Sequence, residues 1–171
     1  MQTNTEKANS EHLNPGMRLS FCLAEKSRMN AGCSQITLPY PIIANRYWRT
    51  FQPRGFRTPV TVVSPEAKAY KEQVAKIAWQ SGFRGPISGR VSVHLKLYPK
   101  RPRDWKKREM ADPNGWDQSV KCLDIDNARK VLYDALGGVL FEDDRWIWSD
   151  SAERKVPDGE PRVEVTVSRW G

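Results

Sequence analysis

Two stretches of strict alternation constrain this chain most: Val91-Ser92-Val93-His94-Leu95-Lys96-Leu97 and Arg162-Val163-Glu164-Val165-Thr166-Val167. A period of two puts every second side chain on one face, so each stretch is a half-buried strand needing an apolar layer against it. Two helical patterns can supply that layer. Ser64-Pro65-Glu66 opens the first, with a capping hydroxyl, a proline tolerated in the first turn and an acid that suits the helix dipole. Its apolar face is Ala67, Tyr70, Val74, Ile77 and Ala78, and Gly82 stops it. The second helix is expected over residues 127–136, burying Ala128, Val131, Leu132, Ala135 and Leu136, and closed by Gly137-Gly138. Shorter strands are expected at residues 35–38, 60–63, 122–125, 139–141 and 145–148, with residues 99–121 as a long polar connection. The prolines Pro39 and Pro41 mark the first strand as an edge or end it. The expected fold is α+β, a small mixed β-sheet with about two packed helices in a single domain.

A length of 171 residues suits one domain with a real core. Residues 1–34 are polar and aperiodic and read as a disordered or loosely attached N-terminal tail, with the domain spanning residues 35–171. The N-terminus has no hydrophobic signal core, and no apolar run approaches the ~20 residues of a membrane span. Three cysteines, Cys22, Cys33 and Cys122, without CxxC spacing argue against a disulfide framework or a zinc ribbon, and for the cytoplasm. The net charge of +8 speaks of partners. Without a basic amphipathic helix, nucleic acid is favoured over a membrane surface.

Against that positive charge stands a cluster of acids. In Leu123-Asp124-Ile125-Asp126-Asn127, two carboxylates lie two apart on the expected strand and leave the same face. Lys130 follows Asp126 by four residues, one helical turn on. Asp143-Asp144 follows the same helix, so Asp144 can return to the same sheet edge. Three carboxylates (Asp124, Asp126, Asp144) and one ammonium (Lys130) would seat Mg²⁺, which takes one or two carboxylates and leaves other positions to water and phosphate. The plainer alternatives are a helix N-cap for Asp126 or Asn127, a polar turn at Asp143-Asp144, and a solvated Lys130. Asp124 is the hardest to explain that way, because an acid within a short apolar strand is costly unless paired.

Residues 45–57 mix arginine with aromatics, the make-up of a nucleic-acid surface. Asn45, Arg46, Arg49, Arg54 and Arg57 suit phosphate contact, and Tyr47, Trp48, Phe51 and Phe56 suit stacking on unpaired bases. The alternative is burial of these rings in a core or dimer contact. Lys100, Arg101 and Arg103 begin a basic run before the acidic pair and are further phosphate candidates.

The chain from about Gln35 onward resembles the RusA family of Holliday junction resolvases, found in bacteria, phages and prophages. Ile36-Thr37-Leu38-Pro39-Tyr40-Pro41 and Asn45-Arg46-Tyr47-Trp48-Arg49 are similar to its opening strand and arm, and Val63-Ser64-Pro65-Glu66-Ala67-Lys68-Ala69-Tyr70 to its first helix. Leu123-Asp124-Ile125-Asp126-Asn127-Ala128-Arg129-Lys130, Asp134-Ala135-Leu136 and Phe141-Glu142-Asp143-Asp144 carry the strongest likeness. The resemblance implies a Mg²⁺-dependent endonuclease, with Mn²⁺ as a substitute, acting as a symmetric homodimer on four-way DNA junctions. It puts the family's catalytic acids on Asp124, Asp126 and Asp144 and its lysine on Lys130. A non-catalytic basic DNA-binding module and a less selective flap or single-strand nuclease are the competing readings.

Overall fold

The computed structural model describes residues 33–171; the expected tail lies outside the described residues, save Cys33 and Ser34. Four strands form one sheet: β1 (Cys33–Pro39), β4 (Val91–Tyr98), β5 (Ile147–Arg154) and β6 (Arg162–Arg169), in the order β1-β6-β4-β5. β6 runs antiparallel to both β1 and β4, whereas β5 runs parallel to β4. The sheet is therefore mixed, and β1 with its terminal proline is an edge. The alternation does what a period of two requires. Val91, Val93, Leu95 and Leu97 of β4 and Val163, Val165 and Val167 of β6 are all fully buried on one face.

Two helices cover that face, α2 (Pro65–Gln80) and α4 (Ile125–Leu136). Ser64 caps α2, its Oγ accepting from Ala67 N–H at 3.2 Å while its own hydroxyl donates to the Arg46 carbonyl. Ala67, Tyr70, Val74 and Ala78 of α2 and Ala128, Val131, Leu132, Ala135 and Leu136 of α4 close one continuous core with the strands. The α+β assignment stands.

Four local expectations are corrected. Residues 122–125 are not a strand. Leu123 N–H donates to the Tyr40 hydroxyl at 3.0 Å instead of to a neighbouring strand, and α4 begins at Ile125, two residues early. Residues 139–141 form a turn, because Val139 and Leu140 N–H both bond back to the Leu136 carbonyl. The aperiodic arm is a short helix, α1 (Ala44–Tyr47), followed by a hairpin of β2 (Trp48–Phe51) and β3 (Val60–Val63). Its arginine–aromatic mixture hides a two-stranded ribbon too short to show a period. The long polar connection holds a helix, α3 (Trp105–Ala111), steadied by Trp105 against Trp116 with ring centroids 6.4 Å apart. Trp148 is exposed beneath the Arg90 guanidinium, 4.0 Å from its ring centroid. Among the described residues no helix is long and apolar enough to cross a membrane.

Candidate active site: an acidic cavity along one face of α4

Helix α4 has two working faces. Its apolar positions enter the core, and the positions between them, Asp126, Arg129, Lys130, Tyr133 and Asp134, then Gly137, line a cavity of about 760 Å³. The intervals of three and four mark a single helical face. The turn Glu142-Asp143-Asp144 forms a second wall, and Trp48 and Lys71 a third. Phe141 anchors that turn. Its ring is fully buried and meets Tyr133 edge-on, and its carbonyl accepts from Gly138 N–H at 2.7 Å. Gly138 has φ 76°, a left-handed conformation that favours glycine, so the chain reverses at once after α4.

The cavity brings together Asp126, Lys130 and Asp144. Asp124 occupies the N-cap position of α4, exposed and outside the lining, with no side-chain cap bond. The strand geometry that would have aimed it beside Asp126 is absent, because the helix starts between them. Exposure also removes the desolvation cost that singled it out.

Partners divide the lining into committed and free groups. Asp134 accepts from the Tyr47 hydroxyl and from Lys71 Nζ at 3.0 Å. Glu142 accepts from Ser88 Oγ at 2.5 Å, and Asp143 from Arg145 N–H at 3.0 Å. Arg129 Nε lies 2.7 Å from Asp150 Oδ2, an ion pair without hydrogen-bond alignment, and Tyr133 donates to the same carboxylate at 2.9 Å. Asp126 has only a 3.5 Å contact with Arg129 and is 82% exposed. Among the described residues Lys130 and Asp144 engage no side-chain partner. The three uncommitted groups are thus three of the four that the sequence singled out.

Five acids and three bases line the cavity, a local net of −2 within a chain of +8. An anionic pocket in a cationic protein is where a cation would mediate contact with a polyanion. The donors are hard anionic oxygens, which suit Mg²⁺. Among the described residues no three His, Cys, Asp or Glu side chains stand as a ready metal cluster. Mg²⁺ needs none, being held by one or two carboxylates with water and phosphate.

Of the expected nucleic-acid residues, Tyr47 is fully buried and its hydroxyl is held by Asp134, so it supports the cavity wall and presents no ring to a base. Arg46 pairs with Glu66 at 2.6 Å on an exposed surface, with Asn45 exposed beside it. Arg49, Arg54 and Arg57 are exposed on the hairpin. Lys100 and Arg103 are exposed, and Arg101 stacks on Trp105 at 4.6 Å. Trp48, expected to stack on bases, instead lines the cavity and packs against the core. Lys71, Arg129, Tyr133 and Asp134 were not singled out by the sequence as site residues. The last three could have been found by continuing the helical spacing from Asp126, whereas nothing local marks Lys71.

A model of the family described as Endodeoxyribonuclease RusA matches residues 39–168. The chain belongs to the RusA family. Among similar proteins is the crossover junction endodeoxyribonuclease RusA of Escherichia coli (strain K12), 29% identical over 142 residues, covering 80% of this chain and 94% of that one. The rusA crossover junction endodeoxyribonuclease of Enterobacteria phage 82 matches with the same identity and coverage. The uncharacterized protein YqaN of Bacillus subtilis (strain 168) is 32% identical over 105 residues, covering 60% of this chain and 73% of that one. Every cavity residue of this RusA-family endodeoxyribonuclease falls within the matched span.

The buried tyrosines make a pH prediction. Burial, then the Asp134 hydrogen bond, pushes Tyr47 well above its ordinary 10.0. Burial, then Asp150, does the same to Tyr133, and burial raises Tyr70. Burial and the Cys122 thiol push Tyr40 up to about 12. A raised folded-state value means stability is complete below the unfolded value and declines as pH climbs toward the folded one. Urea midpoints should therefore hold up to about pH 9 and fall steeply by about pH 11, with Tyr47→Phe shallower than wild type.

Proposed function

We propose that this RusA-family endodeoxyribonuclease resolves four-way DNA junctions by paired nicks, using Mg²⁺ held by Asp126 and Asp144, in recombination and repair within the cytoplasm. The observation that carries the reading is the convergence of uncommitted Asp126, Asp144 and Lys130 in one anionic cavity of a cationic chain. The printed names of the relatives support the substrate class, since those proteins are crossover junction endodeoxyribonucleases. Asp124, at the N-cap of the same helix, would complete the ligand set if it turned toward the cavity. When bound, the ion would activate the attacking water and offset charge on the leaving oxygen. Lys130 would set its ammonium against the scissile phosphate. Tyr47 and Lys71 hold Asp134 and so keep the wall rigid, and Asp150 holds Arg129 in place. A symmetric homodimer fits the task, because a four-way junction has approximate two-fold symmetry and two strands to cut.

The test is strand nicking on a synthetic four-way junction beside linear duplex and flap DNA of matched sequence, with and without Mg²⁺. Junction-selective, Mg²⁺-dependent cutting is expected. Equal cutting of flap and junction would favour the less selective nuclease, and no cutting at all the binding module. Metal-free binding should weaken with salt, log affinity falling by about 0.9 per phosphate neutralised for each decade of salt. A flat salt response would remove the basic surfaces from the contact.

A further inference from the structure

The hairpin beside the cavity has a face the chain leaves uncovered. Opposed residues of an antiparallel pair share a face, and successive residues alternate. The register pairs Trp48 with Val63, Arg49 with Val62, Thr50 with Thr61 and Phe51 with Val60. Trp48 and Val63 therefore look inward, where both pack against the core. Arg49, Phe51, Val60 and Val62 look outward, the three apolar residues being 44%, 37% and 40% exposed. At the tip Phe56 is 64% exposed between Arg54 and Arg57. The tip is closed by its own hydrogen bonds. Phe56 N–H bonds the Pro53 carbonyl at 3.1 Å across a turn with Gly55 at φ 89°, and Gln52 Nε2 donates to the Phe56 carbonyl at 3.1 Å.

We propose that this outer face is a stacking platform for DNA bases left unpaired at a branch point, with Phe51 and Phe56 as its rings and Arg49, Arg54 and Arg57 on the flanking phosphates. The inference rests on the DNA-cleaving reading above and adds a basis for substrate selection. Charge picks the occupant. Residues 45–63 hold four arginines and no acid, so a second copy docking here across a two-fold axis would set like charges together. A nucleic-acid strand offers π-faces and phosphates at once, and stacking of bases on aromatic rings is the sequence-tolerant way to hold it. In a linear duplex each base face is already stacked on its neighbour, whereas a branch point frees some of them. The location is apt as well. Trp48, at the root of β2, lines the cavity, and Phe51 lies three residues along the same strand, about 10 Å away. A base seated on Phe51 is then a few nucleotides from the acids.

Metal-free binding of the full chain to a four-way junction and to a linear duplex of the same sequence tests the platform. Phe51→Ala and Phe56→Ala should each weaken junction binding about tenfold, leave duplex binding unaltered, and be rescued at position 56 by Phe56→Trp. Abasic sites at the branch point should weaken wild type by a similar factor and leave the doubly substituted variant unaffected. Equal losses on duplex and junction, no loss, or base removal that adds fully to the Phe substitutions would overturn the proposal. So would a shift of the DNA-free variants to a smaller species in sedimentation, which would assign the face to self-association. Binding without metal does not depend on cutting. Phe-dependent junction binding in a protein that never nicks would uphold the platform and sink the nuclease reading alone.

Discussion

Replacing Asp126 by asparagine should reduce Mg²⁺-dependent junction nicking by a hundredfold or more, roughly the several kcal/mol a well-placed ion contributes. Metal-free junction affinity should stay within about twofold of wild type. The exchange keeps the shape and removes the charge that a hard cation requires. Its structural cost should be small, because Asp126 is 82% exposed and its contact with Arg129 is 3.5 Å long. Asp144→Asn should behave in the same way, and Lys130→Met should slow nicking about 10²-fold with metal affinity retained. Asp124→Asn is the informative companion. A loss as large as that of Asp126→Asn would mean the N-cap acid turns into the cavity when DNA and metal arrive, and a wild-type rate would confine the ligand set to the lining. Nicking by Asp126→Asn at the wild-type rate would remove this cavity from the chemistry.

Truncating Phe141 to alanine should cost about 3–5 kcal/mol of stability, the usual range for emptying a fully buried aromatic site. That is a large part of the 5–15 kcal/mol expected of a whole domain. The ring joins the core to the Glu142-Asp143-Asp144 wall, so its loss should also loosen that wall and slow nicking in the fraction still folded. Phe141→Leu keeps most of the volume and should cost about 1–2 kcal/mol. Urea denaturation of the three proteins measures the series. A loss for Phe141→Ala of less than about 1 kcal/mol would mean that the acidic turn is held from elsewhere.

The long strands and both packed helices were readable because their burial repeats at regular intervals: two for β4 and β6, three and four for α2 and α4. Short elements were not. Residues 122–125 carry the composition of a strand, yet Leu123 N–H bonds the Tyr40 hydroxyl, a partner 83 residues away. The hairpin arm reads as aperiodic because each strand is only four residues long.

Sequence alone therefore determined the fold class, the apolar faces and the pairing of Asp126 with Lys130, since one helical turn separates them whatever surrounds the helix. Tertiary structure alone decided that Asp144 shares their cavity, that Asp124 stands outside its lining, that Tyr47 is a buried support and Phe56 an exposed ring, and that Lys71 belongs to the site at all. Spacing along a chain specifies direction only within one element. Between elements, direction is set by how the core closes, and the core is built from residues far apart in order.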